Sequence, residues 1–226
     1  MGKLTPHGLV RSALAAVNGF APDLVVLTGD YLTHDHVIHR HTSPRLIREQ
    51  LGGIAAPTVA VLGNHDCWVD PGGAVAALEH LGYRALRNQN TTLRLRGAPF
   101  TVIGIDDLVT RHADPVLAMK RAARGSRLYL AHVPVTAEAL RSLGEPALVL
   151  SGHTHGGQLN FPPVSMLFAY KSGLYRLGRV QLYVNRGVGN SWMPLRVNAP
   201  PEVTLFTLRA RRALSAEVGT RREIRV

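Results

Sequence analysis

The chain has 226 residues, 46% of them hydrophobic and 18% charged, and this balance excludes a disordered polar chain. A net charge of +11 indicates anionic partners, a class that includes phosphorylated small molecules, nucleic acid and acidic lipid surfaces. The single cysteine, Cys67, excludes an internal disulfide, and no apolar run approaches the roughly 20 residues that span a bilayer.

The first half of the chain alternates helical and strand patterns. Thr5 and Pro6 predict a helix start, with the hydroxyl as cap and proline at the first helical position. Short continuous apolar runs predict buried strands. The further predicted elements are a strand at Asp23–Thr28, a helix from Ser43-Pro44, a strand at Thr58–Leu62 and a helix from Asp70-Pro71.

The second half adds two hairpins, one over Gly97-Ala98-Pro99 and one over Gly178. Buried strands separated by helices indicate an α/β layered sheet, and the hairpins indicate a second sheet or a mixed edge. Residues 1–209 are predicted to form one domain and residues 210–226 a solvated basic tail. The predicted elements are strands at Thr91–Arg96, Phe100–Ile105, Arg127–Ala131, Ala147–Ser151, Leu174–Leu177, Val180–Val184 and Val203–Leu208, with helices from Asp114-Pro115 and about Thr136.

Four polar clusters directly follow predicted strands: Gly29-Asp30, Gly63–Asp66, His132 and Gly152–Gly157. Because ligands bind at the carboxyl ends of the strands in open α/β sheets, we expect these side chains to surround one site. Imidazole and carboxylate together suit Zn, Fe, Mn or Co. One bridging carboxylate with several histidines is what a two-metal hydrolytic centre requires, in which a metal-activated hydroxide attacks phosphorus.

These motifs, in this order, resemble those of the calcineurin-like metallophosphoesterases. The motifs are GD (Gly29-Asp30), GNHD (Gly63–Asp66), the strand-end His132 and GHTHGGQ (Gly152–Gln158). Within that superfamily the chain is similar, from Gly2 to Leu208, to a bacterial subgroup of membrane-associated phosphodiesterases and UDP-diacylglucosamine pyrophosphatases. The resemblance implies an α/β fold, a layered α-β-β-α sandwich with two central sheets.

The resemblance also implies a role for each motif residue. The implied metal ligands are Asp30, Asn64, His132, His153 and His155. Asp30 would bridge two ions of Mn, Fe or Zn, and His155 would serve the ion that the other three ligands do not bind. His65 would face the substrate as general acid or as stabiliser of charge on the leaving oxygen, and Asp66 would orient it.

The family's first motif, Asp-x-His at the end of its first strand, is absent from this sequence. Gly2–Pro6 resembles the lead-in to the helix that follows that motif. We therefore expect the first core strand to be missing, with one metal site complete and the other left with Asp30 and His155. A misplaced start codon is the simplest explanation, and the expected consequence is a poorly soluble or nearly inactive 226-residue form.

Several residues near the motifs allow two interpretations. Arg186 either holds a substrate phosphate through its planar fork or bonds carbonyls in a turn. A histidine-rich segment forms either a solvated loop at the pocket mouth, which we favour, or an accessory metal site; its residues are His34, Asp35, His36, His39 and His41. Tyr170, Tyr175 and Trp192 either line a substrate groove or belong to the core. We expect Cys67 and Trp68 to pack beneath the site, and His7, His80 and His112 to lie at the surface.

The sequence thus predicts a metal-dependent hydrolase that cleaves a phosphoester or pyrophosphate bond in a phosphorylated small molecule or a lipid-linked substrate. We expect it in the cytoplasm or peripherally at the membrane, with an upstream anchor or signal left open. One alternative is a truncated or degenerate phosphoesterase with one metal site and little activity. The other is a basic nucleic-acid-binding protein, but the sequence has no interleaved basic and aromatic patch, so no specific nucleic acid is expected.

Overall fold

A computed structural model describes residues 5–35, 40–142, 144, 147–162, 169–191, 193–209 and 222–225, with the backbone alone at 34, 35, 40, 41 and 222–225. The helices are α1 (His7–Gly19), α2 (Arg45–Leu51), α3 (Asn64–Val69), α4 (Pro71–His80), α5 (Pro115–Met119) and α6 (Thr136–Ser142). The strands are β1 (Val25–Leu27), β2 (His34–Asp35), β3 (Arg40–His41), β4 (Thr58–Ala60), β5 (Arg84–Ala85), β6 (Gln89–Leu95), β7 (Ala98–Ile105), β8 (Arg127–Ala131), β9 (Ala147–Ser151), β10 (Gly173–Leu177), β11 (Val180–Val184), β12 (Glu202–Leu205) and β13 (Arg222–Arg225). None of the described helices combines the length and apolarity needed to cross a membrane.

Two sheets form the centre of the molecule. The small sheet has the order β1-β4-β5 and is parallel throughout. The large sheet has the order β10-β11-β9-β8-β7-β6, in which the four inner strands are parallel and each outer strand is antiparallel to its neighbour. Parallel strands end at one edge of a sheet, so the loops after β8 and β9 lie side by side, as do those after β1 and β4.

Three apolar clusters show how the layers are stacked. One lies between the two sheets and joins residues such as Val61 and Leu130. A second packs α2 and α4 onto the outer face of the small sheet. The third packs α5 and α6 onto the outer face of the large sheet. This order of layers confirms the predicted α-β-β-α sandwich.

The sheets approach each other closely at Gly104 in β7. A Cβ atom built at this position would lie 2.4 Å from Leu86 Cβ and 3.0 Å from Val61 Cγ1. A larger side chain would therefore push the two sheets apart or displace their apolar contacts.

Two predicted helix caps are present, and one prediction is wrong. The carboxylates of Asp70 and Asp114 each accept a hydrogen bond at 2.8 Å from the backbone N–H three residues later, and proline follows each of them. The Thr5 side chain does not cap α1. Its hydroxyl accepts a hydrogen bond from the N–H of Asn190 at 3.1 Å, which ties the start of α1 to the loop after β11.

Five short elements were not predicted, namely β2, β3, α3, β5 and β13. The helix α3 begins inside the GNHD motif, where no helix was predicted. The strand β13 pairs antiparallel with β12 and lies within the segment predicted as a tail, most of which falls outside the described residues.

A groove of about 690 Å³ runs along the edge of β1 that faces away from β4. No strand among the described residues pairs with this edge. Apolar side chains such as Leu14, Val26 and Leu150 line the groove, which extends to Asp30 and His155. It therefore connects the apolar space between the sheets with the candidate site.

Candidate metal centre

Four of the predicted ligands, Asp30, Asn64, His132 and His153, meet between the two sheets and are called the ligand cluster below. Asp30 and Asn64 follow β1 and β4 of the small sheet, and His132 and His153 follow β8 and β9 of the large sheet. His132 Nε2 lies 3.2 Å from Asp30 Oδ2, 3.1 Å from Asn64 Oδ1 and 3.0 Å from His153 Nδ1. The strand-end placement expected from the sequence is thus observed.

The spacing of the ligand cluster fits a metal ion. Two imidazole nitrogens 3.0 Å apart share at most one proton, and oxygens of Asp30 and Asn64 approach the same nitrogen of His132. Two ligands bound at right angles with bonds of about 2.1 Å lie about 3.0 Å apart. Two imidazoles, a carboxylate and an amide oxygen are a donor set that suits Zn, Fe or Mn.

The ring of His132 is oriented by a hydrogen bond that crosses from one sheet to the other. Its Nδ1 donates to the carbonyl oxygen of Thr28 at 2.6 Å, and this leaves Nε2 facing the cluster. Burial opposes a charge on His132, but the carboxylate of Asp30 outweighs burial and raises the pKa of His132 to about 9. Burial would likewise raise the pKa of Asp30, but the charge of His132 holds it far below its usual range.

The other two histidines among the predicted ligands, His153 and His155, are neutral at pH 7. Burial, followed by the charge of His132, lowers the pKa of His153 to about 4. Burial, followed by the charge of Arg196, lowers the pKa of His155 to about 4. The Nδ1 atom of His155 lies 3.1 Å from the carbonyl oxygen of Gly189, which only accepts, and 3.3 Å from Arg196 Nη2, which only donates, so these two contacts favour opposite tautomers. At pH 7 both rings can therefore act as ligands.

His155 lies apart from the ligand cluster. Within the described part of the chain, the His, Cys, Asp and Glu donor atoms that lie within 4.8 Å of one another belong to Asp30, His132 and His153. The assignment of His155 to a second metal therefore stays a prediction.

The backbone is strained at three of the predicted ligands. Asp30, His153 and His155 have φ values of 61°, 69° and 51°, which lie in the left-handed region. Such a conformation costs a non-glycine residue on the order of 1–3 kcal/mol and clusters at functional sites. Contacts within the ligand cluster hold Asp30 and His153 in place, whereas His155 contacts the carbonyl oxygen of Gly189.

His65 lies beside the ligand cluster at the start of α3. Its backbone N–H donates to Asp30 Oδ1 at 3.1 Å, which fixes it to the predicted bridging carboxylate. Its ring packs edge-on against Trp68, with ring centroids 5.3 Å apart. The prediction that Trp68 packs beneath the site is wrong, because its side chain is 50% exposed. Trp68 is therefore a half-exposed side chain at the surface beside His65.

Asp66 is buried and organises the loop that carries Asp30. Its carboxylate accepts hydrogen bonds from the N–H groups of Gly63 at 2.9 Å, Asp30 at 2.8 Å and Leu32 at 2.7 Å. Burial, followed by the charge of Asp30, raises the pKa of Asp66 to about 6. These contacts explain why the GD and GNHD loops stay together, whereas an action of Asp66 on His65 stays a prediction.

Arg186, a predicted phosphate ligand, forms an ion pair inside the molecule. Its Nε lies 2.5 Å from Oε2 of the buried Glu202. Glu202 also accepts hydrogen bonds from Tyr183 Oη and, at 3.2 Å, from Asn185 Nδ2. The side chain of Arg186 also lines the groove, as does His155. Contact between Arg186 and a substrate stays a prediction.

Binding of carbonyl oxygens in a turn was one interpretation of Arg186, but the arginine that does so is Arg196. The sequence analysis missed this residue. Its guanidinium donates to the carbonyl oxygens of His155 at 3.2 Å, Ala199 at 2.9 Å and Arg186 at 3.0 Å, and also to that of Gly189. One side chain thus holds the GHTHGGQ loop against the loop after β11. No sequence pattern singled out this arginine, because its partners are backbone atoms of distant loops.

The remaining predicted residues that the structure describes are Tyr170, Tyr175, Cys67, His7, His80 and His112. The rings of Tyr170 and Tyr175 pack edge-on against each other, with centroids 5.1 Å apart. Both residues also pack against the core on the outer face of the large sheet. Burial, followed by the charge of Asp106, raises the pKa of Cys67 to about 11, so it is a thiol at neutral pH. As predicted, His7, His80 and His112 are exposed. Trp192 and the side chains of the histidine-rich segment lie outside the described residues.

Comparisons with known proteins agree on one family. The model described as "Calcineurin-like phosphoesterase" matches residues 6–157, which include the first three motifs and the fourth as far as Gly157. "Phosphodiesterase YaeI" of Escherichia coli (strain K12) is 35% identical over 221 residues, covering 91% of this chain and 77% of that relative. "Uncharacterized metallophosphoesterase YkuE" of Bacillus subtilis (strain 168) is 32% identical over 216 residues, covering 89% and 73%. "Transmembrane protein with metallophosphoesterase domain" of Danio rerio is 30% identical, covering 92% of this chain and 51% of that protein.

Proposed function

Because this chain belongs to the calcineurin-like phosphoesterase family, we propose that it hydrolyses a phosphodiester or pyrophosphate bond at the ligand cluster. The observation that carries the proposal is the convergence of three other donor groups on His132 Nε2 at 3.0–3.2 Å. That arrangement combines the donor types and the spacing that a catalytic divalent ion needs.

The ligand cluster would bind one ion of Mn, Fe or Zn, and Asp30 and His155 would contribute to a second. Such ions act as Lewis acids toward phosphoryl oxygens and lower the pKa of bound water. The chain itself supplies the fixed geometry, since Asp66 holds the loop of Asp30 and Thr28 orients His132. The ligands are therefore held in position before an ion or substrate arrives.

We assign proton donation to the leaving oxygen to His65. The tie between its backbone and Asp30 keeps the ring next to the ligand cluster, and Trp68 supports one side of the ring. A positioned imidazole donates a proton most effectively near neutral pH, where both of its protonation states are accessible. The half-exposed Trp68 then borders the space that the leaving group occupies.

The substrate is proposed to be anionic, and a phosphodiester is favoured. The net charge of +11 supports attraction of phosphorylated molecules and of acidic membrane surfaces. The E. coli relative is named a phosphodiesterase, and the Danio rerio relative is named a transmembrane protein. A lipid-linked phosphate presented at a membrane surface agrees with both the charge and these names.

Turnover of bis-(p-nitrophenyl) phosphate by the purified chain tests the proposal. We expect hydrolysis that requires added manganese, stops on chelation and is abolished by His132→Ala. The exposed His80 provides the control, and His80→Ala should be as active as the unchanged chain. A protein that binds manganese through the ligand cluster but shows no hydrolysis would support the degenerate alternative.

A further inference from the structure

A buried acidic residue outside the predicted site, Asp107, has a carboxylate oxygen without a partner in the described part of the chain. Asp107 is 0% exposed, and its Oδ2 accepts a hydrogen bond from the N–H of Thr110 at 2.7 Å. Its Oδ1 is buried and has no hydrogen-bond partner among the described residues. Burying a charged oxygen is unfavourable unless a cation or a donor lies against it. The oxygen without a partner therefore leaves room for a cation or a hydrogen-bond donor.

The position of Asp107 in the large sheet brings it next to the ligand cluster. The strands β7 and β8 are parallel and Ile105 is paired with Ala131, so Asp107 lies two residues beyond this pair in the loop after β7, and His132 lies one residue beyond it after β8. Burial has the largest effect on the pKa of both His132 and His153 and lowers it, while the charge of Asp107 raises it. The carboxylate thus acts on the two imidazoles of the cluster.

The adjacent Asp106 shows how a satisfied carboxylate is arranged at the same place. Its Oδ2 pairs with Arg87 Nε at 2.8 Å, and its Oδ1 accepts the N–H of Asp107 at 2.9 Å. Asp106 therefore has its own cation. Asp107 takes part in no ion pair of the described residues, although it is the more deeply buried of the two.

We propose that Asp107 is a positioning residue of the metal site. Its charge would stabilise a cation held by the ligand cluster, and its free oxygen would accept a hydrogen bond from a group bound to that cation. The inference rests on the proposed function, because it requires a cation at the cluster. Carboxylates that act on a metal through its ligands typically change metal affinity by about 10–100-fold when they are removed.

The test is manganese binding to the full chain by isothermal titration calorimetry, with Asp107→Asn compared against Asp106→Asn. Asparagine keeps the side-chain volume and the oxygen that accepts from Thr110, but it removes the charge. We expect Asp107→Asn to weaken manganese binding by about 10–100-fold. Asp106→Asn should bind nearly as the unchanged chain does, and Asp107→Glu should recover part of the loss.

The melting temperature of the metal-free proteins is a second readout, because the loss of a purely structural carboxylate would lower it. Asp107→Asn should leave it nearly unchanged, because asparagine keeps the hydrogen bond from Thr110 and the carboxylate forms no ion pair among the described residues. Asp106→Asn should lower it, because Arg87 loses its partner.

Three results would contradict the inference. Manganese affinity of Asp107→Asn equal to that of the unchanged chain would overturn it and leave the proposed function standing. A metal-free Asp107→Asn protein that melts well below the unchanged chain, or does not fold, would assign the carboxylate to the fold. An unchanged chain that binds no manganese would overturn both the proposed function and the inference.

Discussion

At the scale of single residues, the pairing of Asp30 with His132 makes metal binding depend on pH. With a pKa of about 9, His132 is protonated in the metal-free protein at neutral pH, whereas His153, with a pKa of about 4, is not. A metal needs the deprotonated nitrogen and must displace the proton of His132. Affinity should therefore fall as the pH decreases below about 9 and level off above it.

This coupling predicts the release of about one proton for each manganese ion bound at pH 7.5. Asp30 contributes none, because its pKa is far below neutral pH and it is already ionised. Calorimetric titration in two buffers with different ionisation enthalpies measures the number directly. Binding without proton release, or with an affinity that is constant between pH 6 and pH 8, would show that His132 is not a ligand.

His65 provides a second prediction at this scale, because the role proposed for it differs from the one proposed for the ligand cluster. His65→Gln should lower kcat on substrates with poor leaving groups by about 10²–10⁴-fold, since the leaving oxygen then lacks a proton donor. The loss should be smaller with p-nitrophenolate, and metal content by elemental analysis should be unchanged. His112→Gln, at an exposed position, is the control. Equal losses for good and poor leaving groups would assign His65 another role.

Each member of the ligand cluster lies shortly after the end of a predicted strand. This position made the cluster predictable from the sequence. The same signal was present at Asp106 and Asp107, which directly follow β7, but no family motif drew attention to them. Arg196 could not be found in this way, since its four carbonyl partners become neighbours only after folding. Motif residues were thus predictable, and the residues that support them through long-range contacts were not.

At the scale of elements, the packing of β7 against the small sheet depends on the absence of a side chain at Gly104. Gly104→Ala should lower the free energy of unfolding by about 1–3 kcal/mol, because the added methyl meets Leu86 Cβ at 2.4 Å. Gly8 in α1 is the control, since a Cβ there has nothing within 4 Å. Urea unfolding should show Gly8→Ala equal to or more stable than the unchanged chain. Equal losses in both variants would contradict the steric explanation.

The elements with strong local signals had predictable bounds. The strands β8 and β9 occupy the ranges expected from their continuous apolar runs. The helix α3 has six residues, too few to show helical periodicity, and it depends on Asp66 accepting the N–H of Gly63. The strand β13 has no alternating pattern and is defined by its antiparallel pairing with β12. Short elements that depend on a specific contact therefore escaped the sequence analysis.

At the scale of the whole molecule, the ligand cluster joins the two sheets at one end of the sandwich. Asp30 and Asn64 come from the small sheet, whereas His132 and His153 come from the large sheet. The hydrogen bond from His132 to Thr28 crosses the same boundary. An ion at this place would therefore connect the two sheets in addition to serving chemistry, and separation of the sheets would require its release.

This connection predicts that manganese stabilises the entire fold. An ion that binds only the folded chain adds about 2.7 kcal/mol to the free energy of unfolding at a concentration 100 times its Kd. For a chain of this size each kcal/mol raises Tm by about 2–4 °C, so we expect an increase of about 5–11 °C. Differential scanning calorimetry with and without manganese measures it. His153→Ala should show no increase, whereas His80→Ala should show all of it, because His80 is exposed on α4. An increase of equal size in His153→Ala would place the stabilising ion elsewhere on the molecule.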